Sequence, residues 1–305
     1  MALFRTKKAV LAAATAALAL TLSACGGSGG SGGSGGAGGG SEPSASAPYT
    51  VASNVSLSGS PTFDKIKSNG KIRIGVKQDQ PGLGFMDAAT GQYSGFDIEI
   101  AKWIAASLGY SADKIDFKPI PSANRESAIQ NGDIDYYVGT YSITDKRKQQ
   151  VDFAGPYFVT GQGLLVKKSN TTINSEKDLA GKTVCSATGS TPIQNIKANF
   201  PQTKTTEFDT YSQCVEALKG GQVDAVTTDQ AILIGYAAQD PDNLKVVGQP
   251  FTTEKYGVGV PKGDTALRKF INNVFTNGKD TWQKIYDSTL GKSGTKVEQP
   301  AVDNY

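Results

Sequence analysis

GKIRIGVK at residues 70–77 is weakly similar to GKTVCSAT at residues 181–188, which lies 111 residues further along the chain. A second pair follows in the same order at an offset of 89, IQNGDID at residues 129–135 and LKGGQVD at residues 218–224. Each half of the chain therefore opens with a strand and later passes from a helix through glycine into a strand with an inner aspartate. Short β-rich runs that alternate with helical periodicity predict an α/β fold, here built from two similar lobes.

Two amphipathic helices are predicted from the spacing of apolar residues. One carries Ile100, Trp103, Ile104 and Leu108 and ends at Gly109. The other lies near the C-terminus, with Asp264 as its N-cap and Gly278 just past its end; its apolar residues are Leu267, Phe270, Ile271, Val274 and Phe275. We expect these apolar faces to form the core.

The composition excludes several classes of function. The chain has 305 residues, no His and 3 Cys, so it cannot form a Ser-His-Asp triad, a Cys-His pair, a His-ligated metal site or a four-thiolate zinc site. With 31 Lys and Arg against 28 Asp and Glu, bulk charge does not favour a nucleic-acid partner. We expect no cofactor and no metal.

The N-terminus reads as a targeting segment. Basic residues at positions 5, 7 and 8 precede an apolar run over residues 9–22, which is too short to span a bilayer but typical of a signal peptide. The following Leu22-Ser23-Ala24-Cys25 resembles the lipobox of bacterial lipoproteins, so we predict a signal peptide over 1–24 and lipid on Cys25. Residues 25–60 begin with a Gly/Ser-rich run and are predicted to form a flexible tether. The alternative is an ordinary secretory signal with an incidental Cys.

Lipidation of Cys25 leaves Cys185 and Cys214. Outside the cytoplasm two remaining cysteines favour one disulfide, which would close a loop of about 30 residues and stabilise the fold by about 3–4 kcal/mol. Two free buried thiols are the alternative.

Polar residues follow the predicted strands at matching places in the two lobes. Lys77 corresponds to Thr188, and Thr140 corresponds to Asp229. Because ligands of open α/β sheets bind beyond the carboxyl ends of strands, these four side chains are expected to converge on one cleft. The segment Thr188-Gly189-Ser190-Thr191-Pro192 precedes a helix, with Ser190 or Thr191 as N-cap and Pro192 as first residue, and would offer amides to an anion. A plain helix cap without a ligand is the alternative.

A cation and a carboxylate are expected to bind opposite ends of a ligand. The hydroxyls of Thr140 and Ser142 are predicted on one face of an extended segment, and Arg147 after them can bind a carboxylate through two N–H groups. Asp229 ends a buried strand, where a carboxylate requires a cation such as a ligand ammonium. A surface arginine, and a structural partner for Asp229, are the alternatives. Together the two groups predict a receptor for a free α-amino acid.

The motif SITDKR at residues 142–147, followed by VDFAGPY at residues 151–157, resembles the signature of polar amino-acid solute-binding proteins of ABC importers. Further segments resemble the glutamate-binding lipoproteins of Gram-positive uptake systems: KQDQPG at 77–82, SANRE at 122–126, Cys185 with GSTP at 189–192, and YSQCVEAL at 211–218. The resemblance implies a two-lobe venus-flytrap fold of the type II periplasmic-binding class with a two-strand hinge. It places lobe 1 at 61–160 plus 256–305 and lobe 2 at 161–255.

The same resemblance implies roles for individual residues. Arg147 would hold the α-carboxylate, helped by the Ser142 hydroxyl and by amides near residues 188–190, which are Thr188, Gly189 and Ser190. Asp229 would take the α-ammonium, with Thr140 assisting. Lys77 and Arg125 would hold a side-chain carboxylate, and Tyr211 would contact the ligand from lobe 2.

We therefore expect a monomeric, lipid-anchored protein on the extracellular face of the cell membrane. It would bind L-glutamate in the cleft, close around it, and deliver it to the permease and ATPase of an ABC importer. Glutamine, aspartate and asparagine are alternative ligands, because Lys or Arg also binds a carboxamide oxygen. We expect no enzyme activity; a dehydratase acting on a small carboxylate and a sensory protein with a separate partner are the other classes considered.

Overall fold

The computed structural model describes residues 47–293 and 296–305. The predicted signal peptide, Cys25 and the tether up to residue 46 lie outside the described residues. In the part that is described, no helix has the length and apolar character needed to cross a membrane.

Strands and helices alternate along the chain, as predicted. The strands are β1 Ile72–Val76, β2 Phe85–Met86, β3 Tyr93–Ser94, β4 Ile115–Pro119, β5 Tyr136–Tyr137, β6 Asp152–Thr160, β7 Gln162–Lys167, β8 Thr183–Ala187, β9 Lys204–Phe208, β10 Ala225–Asp229, β11 Leu244–Val247 and β12 Glu254–Val260. The helices are α1 Pro61–Asn69, α2 Phe96–Ser107, α3 Arg125–Gln130, α4 Asp145–Lys148, α5 Thr191–Asn199, α6 Tyr211–Lys219, α7 Gln230–Gln239, α8 Thr265–Asn277 and α9 Lys279–Ser288.

Two five-stranded sheets form the two lobes. The first has the order β4-β1-β5-β12-β6 and the second the order β11-β7-β10-β8-β9. In the first sheet β4, β1 and β5 run parallel, and β12 pairs antiparallel with β5 and β6. In the second, β9, β8 and β10 run parallel, and β7 pairs antiparallel with β10 and β11. The chain crosses between the sheets after β6 and again before β12, which gives the α/β two-lobe fold with a two-strand hinge. The exact lobe limits given above stay a prediction.

The internal repeat corresponds to one local structure that occurs in both lobes. The amide of Asp135 donates to the Arg73 carbonyl (2.7 Å), and Asp135 Oδ2 accepts from the Arg73 amide (2.7 Å). In the second lobe Asp224 makes the same reciprocal pair with Thr183 (2.8 Å in each direction). Each aspartate therefore joins the start of the strand that follows it to the neighbouring parallel strand, which is β1 in the first lobe and β8 in the second.

Helix ends agree largely with the predictions. Asp264 caps α8 by accepting from the Leu267 amide (3.0 Å), and Gly278 is the C-cap that follows the last residue of α8. Ser190 caps α5 and accepts from the Ile193 amide (3.4 Å). Pro192 occupies the second helical position, not the predicted first, because Thr191 already begins the helix.

The predicted tether extends too far toward the folded body. Tyr49 Oη donates to Glu99 Oε2 (2.8 Å), and the Ala52 amide donates to the carbonyl of Ala106 on α2 (2.9 Å). Val55 and Leu57 pack against the core. Apolar side chains spaced along this segment, which the Gly/Ser-rich run before it lacks, give it surface to bury.

Candidate functional site

Arg147 lies buried where the two lobes meet. It is on α4, whose N-cap Thr144 accepts from the Arg147 amide (3.2 Å). Its Nη1 donates to the Ser142 carbonyl (2.8 Å), its Nε to Glu126 Oε1 (3.1 Å) and its Nη2 to the carbonyl of Gly189 in the second lobe (3.1 Å). A guanidinium has five N–H donors. These three acceptors leave two N–H groups for a ligand carboxylate.

Lys77 and Arg125 are two further buried cations of the first lobe. Lys77 directly follows β1, and its Nζ donates to Ser122 Oγ (2.8 Å). Arg125 opens α3; its Nε donates to the Ser122 carbonyl (3.1 Å) and its Nη1 to the Thr140 carbonyl (3.3 Å). Burial, and then the neighbouring Arg125 charge, lower the pKa of Lys77 to about 7, although Asp79 opposes the shift. Lys77 is therefore close to losing its proton at neutral pH.

The ring of Tyr141 brings the two arginines together. The Arg125 Cζ lies 4.5 Å and the Arg147 Cζ 4.9 Å from its centroid. Cation–π attraction to a buried ring partly offsets the repulsion between two adjacent guanidinium groups. Burial, and then the charge of Arg125, also lower the pKa of Arg147.

Thr140 is held in an unusual backbone conformation. Its φ is +47°, so the extended segment predicted over residues 140–142 is wrong at this residue, and the two hydroxyls do not share one strand face. The Thr140 amide donates to Asp97 Oδ2 (2.9 Å), and Thr140 Oγ1 donates to Gln80 Oε1 (3.1 Å). Asp97 Oδ1 accepts from the Tyr157 hydroxyl (2.9 Å), and burial raises the pKa of Asp97 to about 7. Asp97 thus positions Thr140.

Ser142 and Thr191 bridge the lobes. Thr191 Oγ1 donates to Glu254 Oε2 (2.9 Å) and lies 3.3 Å from Ser142 Oγ.

Segment 188–190 offers fewer unpaired backbone N–H groups to a ligand than predicted. The Thr188 amide donates to the Phe208 carbonyl (2.8 Å), and the Ser190 amide donates to the Ala187 carbonyl (3.1 Å). Gly189 has a φ of +76°, and a Cβ there would lie 2.7 Å from the Cα of Ala123 in the first lobe. This segment therefore serves first as a close contact between the lobes.

Asp229 is the buried carboxylate of the second lobe. It is the last residue of β10, and its Oδ2 accepts from the Tyr256 hydroxyl (2.7 Å). Its Oδ1 is buried and has no hydrogen-bond partner among residues 47–293 and 296–305. Burial, and then the Glu254 charge, raise the pKa of Asp229 to about 7, whereas the charges of Arg125 and Arg147 act in the opposite direction.

Tyr211 opens α6 beside this carboxylate. It is buried, and burial followed by the Asp229 charge raises its pKa to about 12. The structure thus brings buried cations of one lobe near a buried carboxylate and a tyrosine of the other.

Comparison with known proteins gives the family. Residues 72–292 match the bacterial extracellular solute-binding proteins, family 3. The chain belongs to this family. The glutamate-binding protein GluB of Corynebacterium efficiens is 40% identical over 245 residues, covering 76% of this chain and 82% of the relative. The glutamine-binding protein of Geobacillus stearothermophilus is 44% identical over 217 residues, covering 71% and 82%. A solved structure titled an ancestral arginine-binding protein bound to glutamine matches with a TM-score of 0.69 and 40% identity over 73% of this chain and 98% of that one.

These relatives are named as binding proteins for amino acids, and glutamate and glutamine are both among their ligands. Family membership therefore supports amino-acid binding by an extracellular protein of an importer. It leaves the choice between glutamate and glutamine to the chemistry of the site.

The solute-binding protein also contains the predicted disulfide. Cys185 on β8 is bonded to Cys214 on α6, with 5.4 Å between their Cα atoms. The bond joins the strand that leads into segment 188–190 to the helix that begins with Tyr211. No group of three or more Cys, Asp or Glu arranged to hold a metal ion occurs in the described part of the chain.

Four residues of this solute-binding protein were not singled out from the sequence. Glu126 pairs with Arg147, Tyr141 lies against two arginines, Asp97 holds Thr140, and Asp79 contacts α6. Asp79 and Glu126 do lie inside the quoted motifs KQDQPG and SANRE, so the resemblance marked their segments without giving their roles.

Proposed function

We propose that this solute-binding protein captures L-glutamate between its lobes and delivers it to the permease of an ABC importer. The main support is the arrangement of buried charges. Lys77, Arg125 and Arg147 are buried in one lobe. Asp229 is buried in the other, and its Oδ1 has no hydrogen-bond partner among the described residues. Buried charges require partners of opposite sign, and a zwitterion with an acidic side chain supplies all of them.

The proposal assigns each charged group of the ligand to a protein partner. The α-carboxylate takes the two remaining N–H groups of Arg147. The α-ammonium donates to Asp229 Oδ1, which favours the ionised form of that carboxyl. Lys77 and Arg125 receive the side-chain carboxylate through N–H donors that Ser122 and Thr140 do not use.

The preference for glutamate over glutamine follows from Lys77 and Arg125. Of the three buried cations only Arg147 has a carboxylate of the described chain within ion-pair distance, namely Glu126 at 3.1 Å. Arg125, and Lys77 in its protonated form, carry positive charge that a carboxylate neutralises and a carboxamide does not. A neutral carboxamide leaves that charge uncompensated in the closed protein.

Calorimetric titration of two variants tests the assignment. Arg147→Ala is expected to abolish binding of glutamate and glutamine alike, because both ligands carry an α-carboxylate. Arg125→Ala is expected to weaken glutamate more than glutamine. Equal losses for the two ligands in Arg125→Ala would remove Arg125 from the side-chain pocket.

We also propose that a lipid on Cys25 anchors the protein to the membrane. Cleavage after residue 24 and lipid on the Cys25 sulfur would hold the protein at the extracellular face of the membrane, with the lobes carried by the following segment. Bacterial cells fed labelled palmitate should label the wild-type protein and leave Cys25→Ser unlabelled. Equal labelling of the two proteins would refute the anchor.

A further inference from the structure

A short loop of the first lobe sits on two helices of the second. Asp79 Oδ2 accepts from the backbone amides of Tyr211 (2.9 Å) and Ser212 (3.2 Å) at the start of α6. The Tyr236 hydroxyl on α7 donates to the Asp79 carbonyl and lies 3.3 Å from Asp79 Oδ2. Charge-assisted bonds to helix amides are among the stronger polar contacts.

Gly235 of α7 lies directly under this loop. A Cβ at position 235 would overlap the carbonyl oxygen of Pro81 and lie 3.1 Å from its carbonyl carbon. Gly235 is inside a regular helix, where glycine is less favourable than alanine by about 1 kcal/mol. The glycine therefore weakens its own helix and permits a close approach between the lobes.

We propose that these contacts form a closing latch, defined as Asp79 and Pro81 on lobe 1 against the start of α6, Gly235 and Tyr236 on lobe 2. The latch adds to the stability of the closed state through contacts between the lobes that do not involve the ligand. It rests on the proposed function, in which the lobes close on an amino acid. Lys77 is two residues before Asp79, so the loop that makes the latch also carries a proposed ligand contact.

The latch makes ligand affinity depend on residues remote from the amino acid. If a substitution lowers the closed population, the apparent dissociation constant rises by the same factor. The loss is then the same for glutamate and for glutamine, because the latch does not contact the ligand side chain. A defect at Lys77 would instead discriminate between the two.

Gly235→Ala is the decisive variant. Alanine favours the helix, so the ligand-free variant should melt no lower than the wild-type protein. The added methyl group clashes with the Pro81 carbonyl only when the loop that carries Asp79 and Pro81 lies against α7, as it does in the closed state. Calorimetry should show affinity for glutamate and glutamine reduced by about tenfold or more, equally for both. X-ray scattering at a glutamate concentration that half-saturates the wild-type protein should give a larger radius of gyration for Gly235→Ala, and saturating glutamate should bring it to the wild-type value.

Two other variants complete the experiment. Tyr236→Phe removes the hydroxyl that donates to the Asp79 carbonyl, changes no charge near Lys77, and should weaken both ligands in the same way. Gln239→Ala, on the exposed end of α7, is the matched control and should behave as wild type. Wild-type affinity and wild-type compaction in Gly235→Ala would overturn the latch alone. Absence of binding and compaction in the wild-type protein with every amino acid would overturn both the latch and the proposed function.

Discussion

Lys77→Met tests the most specific part of the ligand assignment. Lys77 is buried, and Ser122 Oγ is the acceptor of its ammonium (2.8 Å). A carboxylate about 4 Å from an ammonium interacts by about 4 kcal/mol at an effective dielectric constant of about 20. In the variant Arg125 still neutralises part of the charge of the ligand side chain. The variant also avoids the cost of burying the Lys77 ammonium. We therefore expect a net loss of about 2–3 kcal/mol for glutamate, which is about 30- to 150-fold in affinity.

Glutamine should respond much less to the same substitution. It loses one hydrogen bond to its carboxamide oxygen, about 1 kcal/mol or about fivefold in affinity. Methionine removes a buried charge and keeps the length of the side chain, so the fold should persist, and thermal melting checks this. Lys71→Met makes the same chemical change at an exposed position before β1 and should leave both affinities unchanged. Titration calorimetry of the wild-type protein and the two variants gives six dissociation constants. Equal losses for glutamate and glutamine in Lys77→Met would refute the reasoning.

Three further predictions concern charge and the disulfide. Because the pKa values of Asp229 and Lys77 are both about 7, glutamate affinity should peak near pH 7. Below pH 7, Asp229 becomes protonated and no longer pairs with the ligand ammonium. Above pH 7, Lys77 loses its proton and no longer pairs with the side-chain carboxylate of glutamate. Glutamine should lose affinity only on the acid side; identical pH profiles of the two dissociation constants would contradict this. Asp229→Asn should weaken every amino acid by about 30-fold or more in calorimetry, unlike the exposed control Asp242→Asn. Replacing Cys185 and Cys214 by serine should lower the free energy of unfolding in urea by about 3–4 kcal/mol; an unchanged midpoint and slope would refute it.

Local signals predicted much of the fold. The repeat between the lobes was readable because a glycine turn followed by an aspartate and a strand is a short, contiguous pattern. Asp264 was predicted as a cap, and Ser190 as one of two candidates with Thr191, since the effect of a cap depends on residues three positions away. The disulfide followed from counting cysteines. The end of the tether was predicted too late in the chain. Val55 and Leu57 form no periodic pattern, and only the fold shows that they pack against the core.

Contacts between distant segments could not be predicted in the same way. Asp97 reads as an ordinary acidic residue in the first turn of α2, and only the fold brings it to the amide of Thr140. Thr140 makes that contact from a backbone conformation with positive φ, which residues 140–142 do not signal by themselves. Gly235 gives no signal by itself, because its significance comes from Pro81 on the other lobe.

The central claim is that the cleft neutralises both ends of an amino acid. Calorimetric titration of the wild-type protein against the twenty amino acids tests it most directly. We predict one site per chain, tightest binding for L-glutamate, and weaker binding for glutamine, aspartate and asparagine. Absence of saturable binding by any amino acid would contradict the claim.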